Sequence, residues 1–139
     1  MKRLNKQNVN TPEMSDDMFI HRWQKEEHYI DFKRFQDLVK YFKGGKILDV
    51  GCFNSPMPHE ILKAFPKAES WGMDHAPEVI ATMKERHPEV NYLEGDIYKL
   101  GFEYETFDYI VMGEVLEHLE KPADAIKEAM ETIKSGGYL

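Results

Sequence analysis

Lys46-Ile47-Leu48-Asp49-Val50-Gly51-Cys52-Phe53-Asn54-Ser55 is the stretch that decides the fold. Its first five residues form a short apolar run carrying an aspartate, and Gly51 releases the chain into a tight polar turn. At the carboxyl edge of an α/β sheet such a turn is a docking place for nucleotide-like ligands, because backbone N–H groups can approach without side-chain obstruction. The turn reads Gly51-x-Phe53-x-Ser55 and lacks the glycines of a dinucleotide pyrophosphate cradle. A smaller ligand with no phosphate to hold is expected instead.

Working outward, strand and helix signals alternate. Gly44-Gly45 precedes the first strand, Lys46 to Val50, and Pro56 and Pro58 open a helix that Pro66 stops after Phe65. A second strand covers Glu69 to Asp74, and Ala76-Pro77-Glu78 opens a helix that closes before Pro88. A third strand follows over Val90 to Leu93, and a fourth over Phe107 to Gly113, nearly continuous in apolar character as when both faces are covered. Helix is expected from Glu114 to Leu119 and again from Pro122 to about Lys134. Ser135-Gly136-Gly137 then turns into Tyr138-Leu139, the first step of a fifth strand. The pattern predicts an α/β fold, a Rossmann-like, doubly wound, mainly parallel sheet cut short as strand five begins. Residues 1 to 16 read as a flexible polar arm and 17 to 139 as one domain. Within it, apolar residues from Phe19 to Phe42 at three- and four-residue steps predict two N-terminal helices with a joint near Lys25 to His28.

Composition narrows the functional classes. The 139 residues carry 18 basic and 25 acidic side chains, a net charge of −7 that disfavours nucleic acid. Cys52 is the single cysteine, so no intrachain disulfide forms, and no apolar run is long enough to span a bilayer. A cytoplasmic protein acting away from membranes is the expectation.

Four carboxylates fall at strand ends: Asp49, Asp74, Asp96 within Glu94-Gly95-Asp96-Ile97, and Glu114. In a parallel sheet those ends share one edge, so residues far apart in sequence converge on one crevice. An acidic side chain ending the second strand can accept both hydrogen bonds of a ribose diol. A second group is Glu114-Val115-Leu116-Glu117-His118. On a helix, Glu114, Glu117 and His118 share a face and offer an oxygen-and-nitrogen set suited to Mg²⁺ or Mn²⁺. The other reading makes Glu114 a residue at the positive end of the helix and His118 a general base.

At Asp49-Val50-Gly51 and at the later strand ends the chain resembles the class I S-adenosylmethionine-dependent methyltransferases. Their first motif is an acidic residue, an apolar residue, then Gly-x-Gly-x-Gly; here the first glycine is kept and the other two are Phe53 and Ser55. The resemblance implies S-adenosyl-L-methionine as cofactor. It implies that Asp74, with His75, meets the ribose, and that Asp96 and the Ile97 N–H meet the adenine. Asp49, Gly51, Cys52 and Phe53, with Gly113 and Glu114 opposite, would surround the amino-acid end. The Glu-x-x-Glu-His motif is similar to that of the ubiquinone-pathway O-methyltransferases and the small-RNA 2′-O-methyltransferases, where it binds a divalent metal. In the family the N-terminal segment packs over the cofactor and helps shape the acceptor pocket, which makes Trp23, His28 and Tyr29 candidates for a lid. A plain amphipathic helix covering one sheet face is the other reading of the same residues. Methyl transfer to an oxygen, or to a nitrogen, of a small molecule is therefore expected, with His118 as base. A non-catalytic cofactor-binding module is the alternative. A nicotinamide oxidoreductase is disfavoured by the missing Gly-x-Gly-x-x-Gly.

Overall fold

The structure, a computed structural model, describes residues 36–139. Within them run β1 (Lys46–Val50), α1 (Met57–Ala64), β2 (Glu69–Asp74), α2 (Pro77–Arg86), β3 (Asn91–Glu94) and β4 (Phe107–Val111). A short 3₁₀ turn (Leu116–His118), α3 (Pro122–Thr132) and β5 (Ile133–Tyr138) complete the described chain. The expected N-terminal arm, most of the paired helices, and the lid residues Trp23, His28 and Tyr29 lie outside the described residues.

All five strands are parallel, in the order β3-β2-β1-β4-β5. The chain builds from β1 to β2 to β3, then crosses back to add β4 on the other side of β1. The strand order therefore reverses between β1 and β4, the switch point outside which ligands of open α/β sheets bind.

Burial follows the period-two alternation of β1. Leu48 and Val50 point to the face covered by α3, where they meet Met73, Phe107, Ile110 and Ala129. Ile47 points to the opposite face and packs with Met57 and Ile61 of α1, Phe42 and Tyr109. The Phe42 ring meets Phe65 and Tyr109 edge-on, with centroids 4.8 and 4.7 Å away. Val79, Ile80 and Met83 of α2 close over Cys52 and Tyr92. Here Gly72 is required by space, since a Cβ on it would come within 2.6 Å of the Tyr92 ring and 3.1 Å of Cys52 Sγ. Truncating a fully buried ring such as Phe107 to alanine would cost about 3–5 kcal/mol.

Two expectations are corrected. The helix anticipated from Glu114 to Leu119 is only the 3₁₀ turn Leu116–His118. Glu114 lies at φ 56°, off the helical path, and Lys121, at φ −128° and ψ 66° before Pro122, is also outside the helical region, which leaves too few residues between them to propagate a helix. The second correction is at the end: α3 stops at Thr132, and β5 starts at Ile133, five residues ahead of Tyr138. Phe107 pairs with Ile133 and Tyr109 with Tyr138, so the expected turn at Ser135-Gly136-Gly137 is absorbed as an irregularity within the strand.

Candidate functional site

Strand register sets the geometry of the carboxyl edge. Asp49 lies beside Gly72 on one side and Val111 on the other, Val50 beside Met73, and Asp74 beside Glu94. Reading across the sheet, the edge presents Gly95-Asp96 after β3, Asp74 at the end of β2, the Gly51 turn after β1, and Gly113-Glu114 after β4.

The turn after β1 is held by its neighbours. Gly51 and Cys52 donate their backbone N–H groups to the Met73 carbonyl at 2.8 and 2.9 Å. Phe53 N–H donates to Asp74 Oδ2 at 2.9 Å, and Ala76 N–H donates to Asp74 Oδ1 at 3.0 Å. His75 Nδ1 stands 3.3 Å from the same Oδ1. Asp74, only 5% exposed, thus joins the turn to the start of α2. This revises the expectation that the turn offers its amides to a ligand. Three successive N–H groups are engaged inside the protein, which leaves no phosphate cradle at Gly51 to Phe53.

Backbone strain marks the same edge. Among the described residues the non-glycine positions with positive φ are Phe53 (45°), Glu105 and Glu114 (56°), and two of the three lie on either side of the β1–β4 switch. Such conformations cost about 1–3 kcal/mol each and gather where function demands a particular chain path. Gly51, at φ 71°, has no room for a side chain, because Val115 Cγ2 occupies the place where its Cβ would fall. Gly113 differs: a Cβ there would meet nothing within 4 Å, so space is open beyond β4.

Asp49 is 5% exposed and lies on the α1-facing side of β1. Beside it, burial above all, and then the Asp49 and Asp74 carboxylates, push the Cys52 thiol well above its usual range. Cys52 is 2% exposed and packs in the core as a small buried thiol. Asp96 is exposed and accepts the Tyr98 N–H at 2.8 Å through Oδ1, while Ile97 is half-buried against the core. Glu114, Glu117 and His118 are exposed. They are not among the described residues whose ligand atoms gather within 4.8 Å of one another, so the metal set expected of them does not assemble. The cause is the lost helix: without it the three-and-four spacing no longer puts them on one face.

Sequence reading missed three contributors. Val115 was hidden inside the Glu114 to His118 motif as a spacer residue. The engagement of Ala76 was signalled by Asp74-His75-Ala76-Pro77, an aspartate two residues before an N–H at a helix start. Asp108 accepts the Lys46 N–H at 2.8 Å and both its oxygens lie 3.1 Å from Lys134 Nζ, anchoring the opposite end of β1. Nothing in the sequence announces that contact.

Comparison with known proteins adds the following. A family model described as a methyltransferase domain matches residues 48–139. The malonyl-[acyl-carrier protein] O-methyltransferase of Halalkalibacterium halodurans is 31% identical over 99 residues, covering 67% of this chain and 36% of that one. The demethylmenaquinone methyltransferase of Staphylococcus aureus is 31% identical over 118 residues, covering 82% and 49%. Among solved structures, a TehB-like SAM-dependent methyltransferase from Corynebacterium glutamicum superposes with a TM-score of 0.69 at 24% identity, covering 91% of this chain and 71% of that one, and shares the fold. The chain spans half or less of the length of these two curated relatives.

Proposed function

The chain belongs to the methyltransferase domain family, and on that premise we propose that it binds S-adenosylmethionine along the carboxyl edge of its sheet and transfers the methyl group to an oxygen of a small molecule. The observation that carries this reading is the order of groups across the edge: Asp96, Asp74, the Gly51 turn, then Gly113 and Glu114. That order matches a ligand laid out as base, ribose and amino-acid arm, with the acceptor at the far end. At about 4.8 Å per strand, the three steps from β3 to β4 span roughly 14 Å.

The residues suit the cofactor chemically. Each carboxylate oxygen has two lone-pair sites, so Asp74 keeps capacity for a ribose diol after accepting Phe53 and Ala76. Asp96 has its Oδ2 for an adenine amino group. Asp49 and Glu114 bring negative charge to the ammonium and sulfonium end, Phe53 gives an apolar wall, and the open space at Gly113 leaves room. The engaged amides from Gly51 to Phe53 agree with a cofactor that has no phosphate. When bound, S-adenosylmethionine supplies a methyl group already activated on sulfur, so alignment does much of the work.

An oxygen acceptor must lose a proton, and His118 on the turn after β4 is the base for it. The name of one curated relative, a demethylmenaquinone methyltransferase, supports a small-molecule acceptor, and that of the other, a malonyl-[acyl-carrier protein] O-methyltransferase, supports transfer to an oxygen. Calorimetric titration with S-adenosylmethionine tests the reading. One-to-one binding is expected, weakened about tenfold or more in Asp74→Ala and in Asp96→Ala as charged hydrogen bonds are lost. His118→Ala should bind normally and fail in transfer. No binding to the folded chain would overturn the proposal.

A further inference from the structure

A second cluster involves no residue of the strand-edge site. His59 lies in the first turn of α1, His87 caps the end of α2, and Glu89 sits in the loop leading to β3. The two imidazole rings are stacked, with centroids 4.0 Å apart and planes inclined by 29°. Both Nδ1 atoms face one carboxylate oxygen: His59 Nδ1 is hydrogen-bonded to Glu89 Oε1, and His87 Nδ1 stands 3.6 Å from the same atom. One ligand atom from each residue falls within 4.8 Å of the other two.

Donors around a tetrahedral ion at about 2.1 Å are roughly 3.4 Å apart, so small side-chain rotations would close the cluster on a metal. Two imidazoles and one carboxylate form the donor set of a borderline dication, and Mg²⁺, which prefers oxygen, is disfavoured. Glu60 approaches His59 Nε2 at 3.8 Å, but its carboxylate is held by Lys63 at 2.6 Å and stays outside the set. The histidines are half-buried and Glu89 is exposed, which leaves a fourth position for water.

We propose that His59, His87 and Glu89 bind a divalent transition-metal ion of the zinc type, tying the start of α1 to the loop after α2. The ion joins the two crossover connections on one face of the sheet. Its role is structural and does not depend on the methyl-transfer reading.

Titration of the metal-free full chain with zinc sulfate, followed by calorimetry and thermal unfolding, tests this. Expected are one-to-one binding and an unfolding midpoint that rises with zinc, with magnesium chloride giving neither. Loss of a ligand should weaken binding at least as much as the roughly tenfold loss that follows from disturbing an outer-shell partner. His59→Ala and His87→Gln should each show it, while His118→Ala keeps zinc binding. Circular dichroism of the metal-free variants checks that they fold. No zinc binding, or binding that survives in both folded variants, would overturn the assignment and leave a hydrogen-bonded cluster only.

Discussion

Phe53 N–H donates to Asp74 Oδ2 across 2.9 Å, so a residue in the left-handed region after β1 is held by the carboxylate that ends β2. The carboxylate proposed to meet the cofactor ribose is thus also the clamp that sets the turn. On that proposal, binding and local stability are coupled through it. Asp74→Ala should lower stability by about 2 kcal/mol or more, since it strands the Phe53 and Ala76 N–H groups. Urea unfolding of the ligand-free chain checks this, and a loss below about 0.5 kcal/mol would contradict the clamp.

Phe53 stands where the family motif has its second glycine, and its φ of 45° explains that preference. Phe53→Ala removes packing and keeps the strain, whereas Phe53→Gly removes the same packing and releases it. Phe53→Gly should therefore be the more stable of the two by about 1 kcal/mol, the reverse of the usual alanine-over-glycine order. Denaturant midpoints of the two variants decide it.

Gly51→Ala should cost about 2 kcal/mol or more, because φ 71° and the Val115 methyl both oppose a Cβ. Adding Val115→Ala should recover part of that loss. A strictly additive double mutant would mean that the contact with Val115 does not matter.

Asp108 gives a pH dependence. Burial pulls its pKa upward, but the Lys46 N–H and the Lys134 ammonium outweigh burial and hold it below the ordinary 3.8. A depressed folded-state pKa contributes stability that is full above the unfolded value and is lost as pH falls through the folded one. Removing the cation in Lys134→Met raises the folded value, so acid unfolding should begin at higher pH than in the parent. Acid titration followed by circular dichroism would show the shift.

The fold was largely legible because it rests on period and punctuation. Alternating apolar runs, Pro77 and Pro122 at helix starts, and Pro66 after a helix end mark elements through local chemistry that tertiary contacts do not override. Glu114 to His118 misled for the opposite reason. Its spacing is helical, but Glu114 sits at the switch point, where tertiary packing of Val115 against Gly51 accompanies a left-handed path that no local signal encodes. The strand-end carboxylates could be listed from sequence, since topology alone brings them to one edge. What they do inside the protein could not, because the donors to Asp74 come from Phe53, 21 residues before it, and from Ala76 just after it. The His59, His87 and Glu89 cluster was unreadable for the same reason, being assembled by the packing of two helix ends.

Amide chemical shifts in the presence and absence of S-adenosylhomocysteine test the central claim most directly. Saturable shifts are predicted at Gly51 to Phe53, Asp74 and His75, Asp96 and Ile97, and Gly113 and Glu114, with little change in the groove formed by Lys99, Phe102, Glu128 and Thr132. Shifts confined to that groove, or none at saturating ligand in a folded chain, would contradict a cofactor site on the carboxyl edge of the sheet.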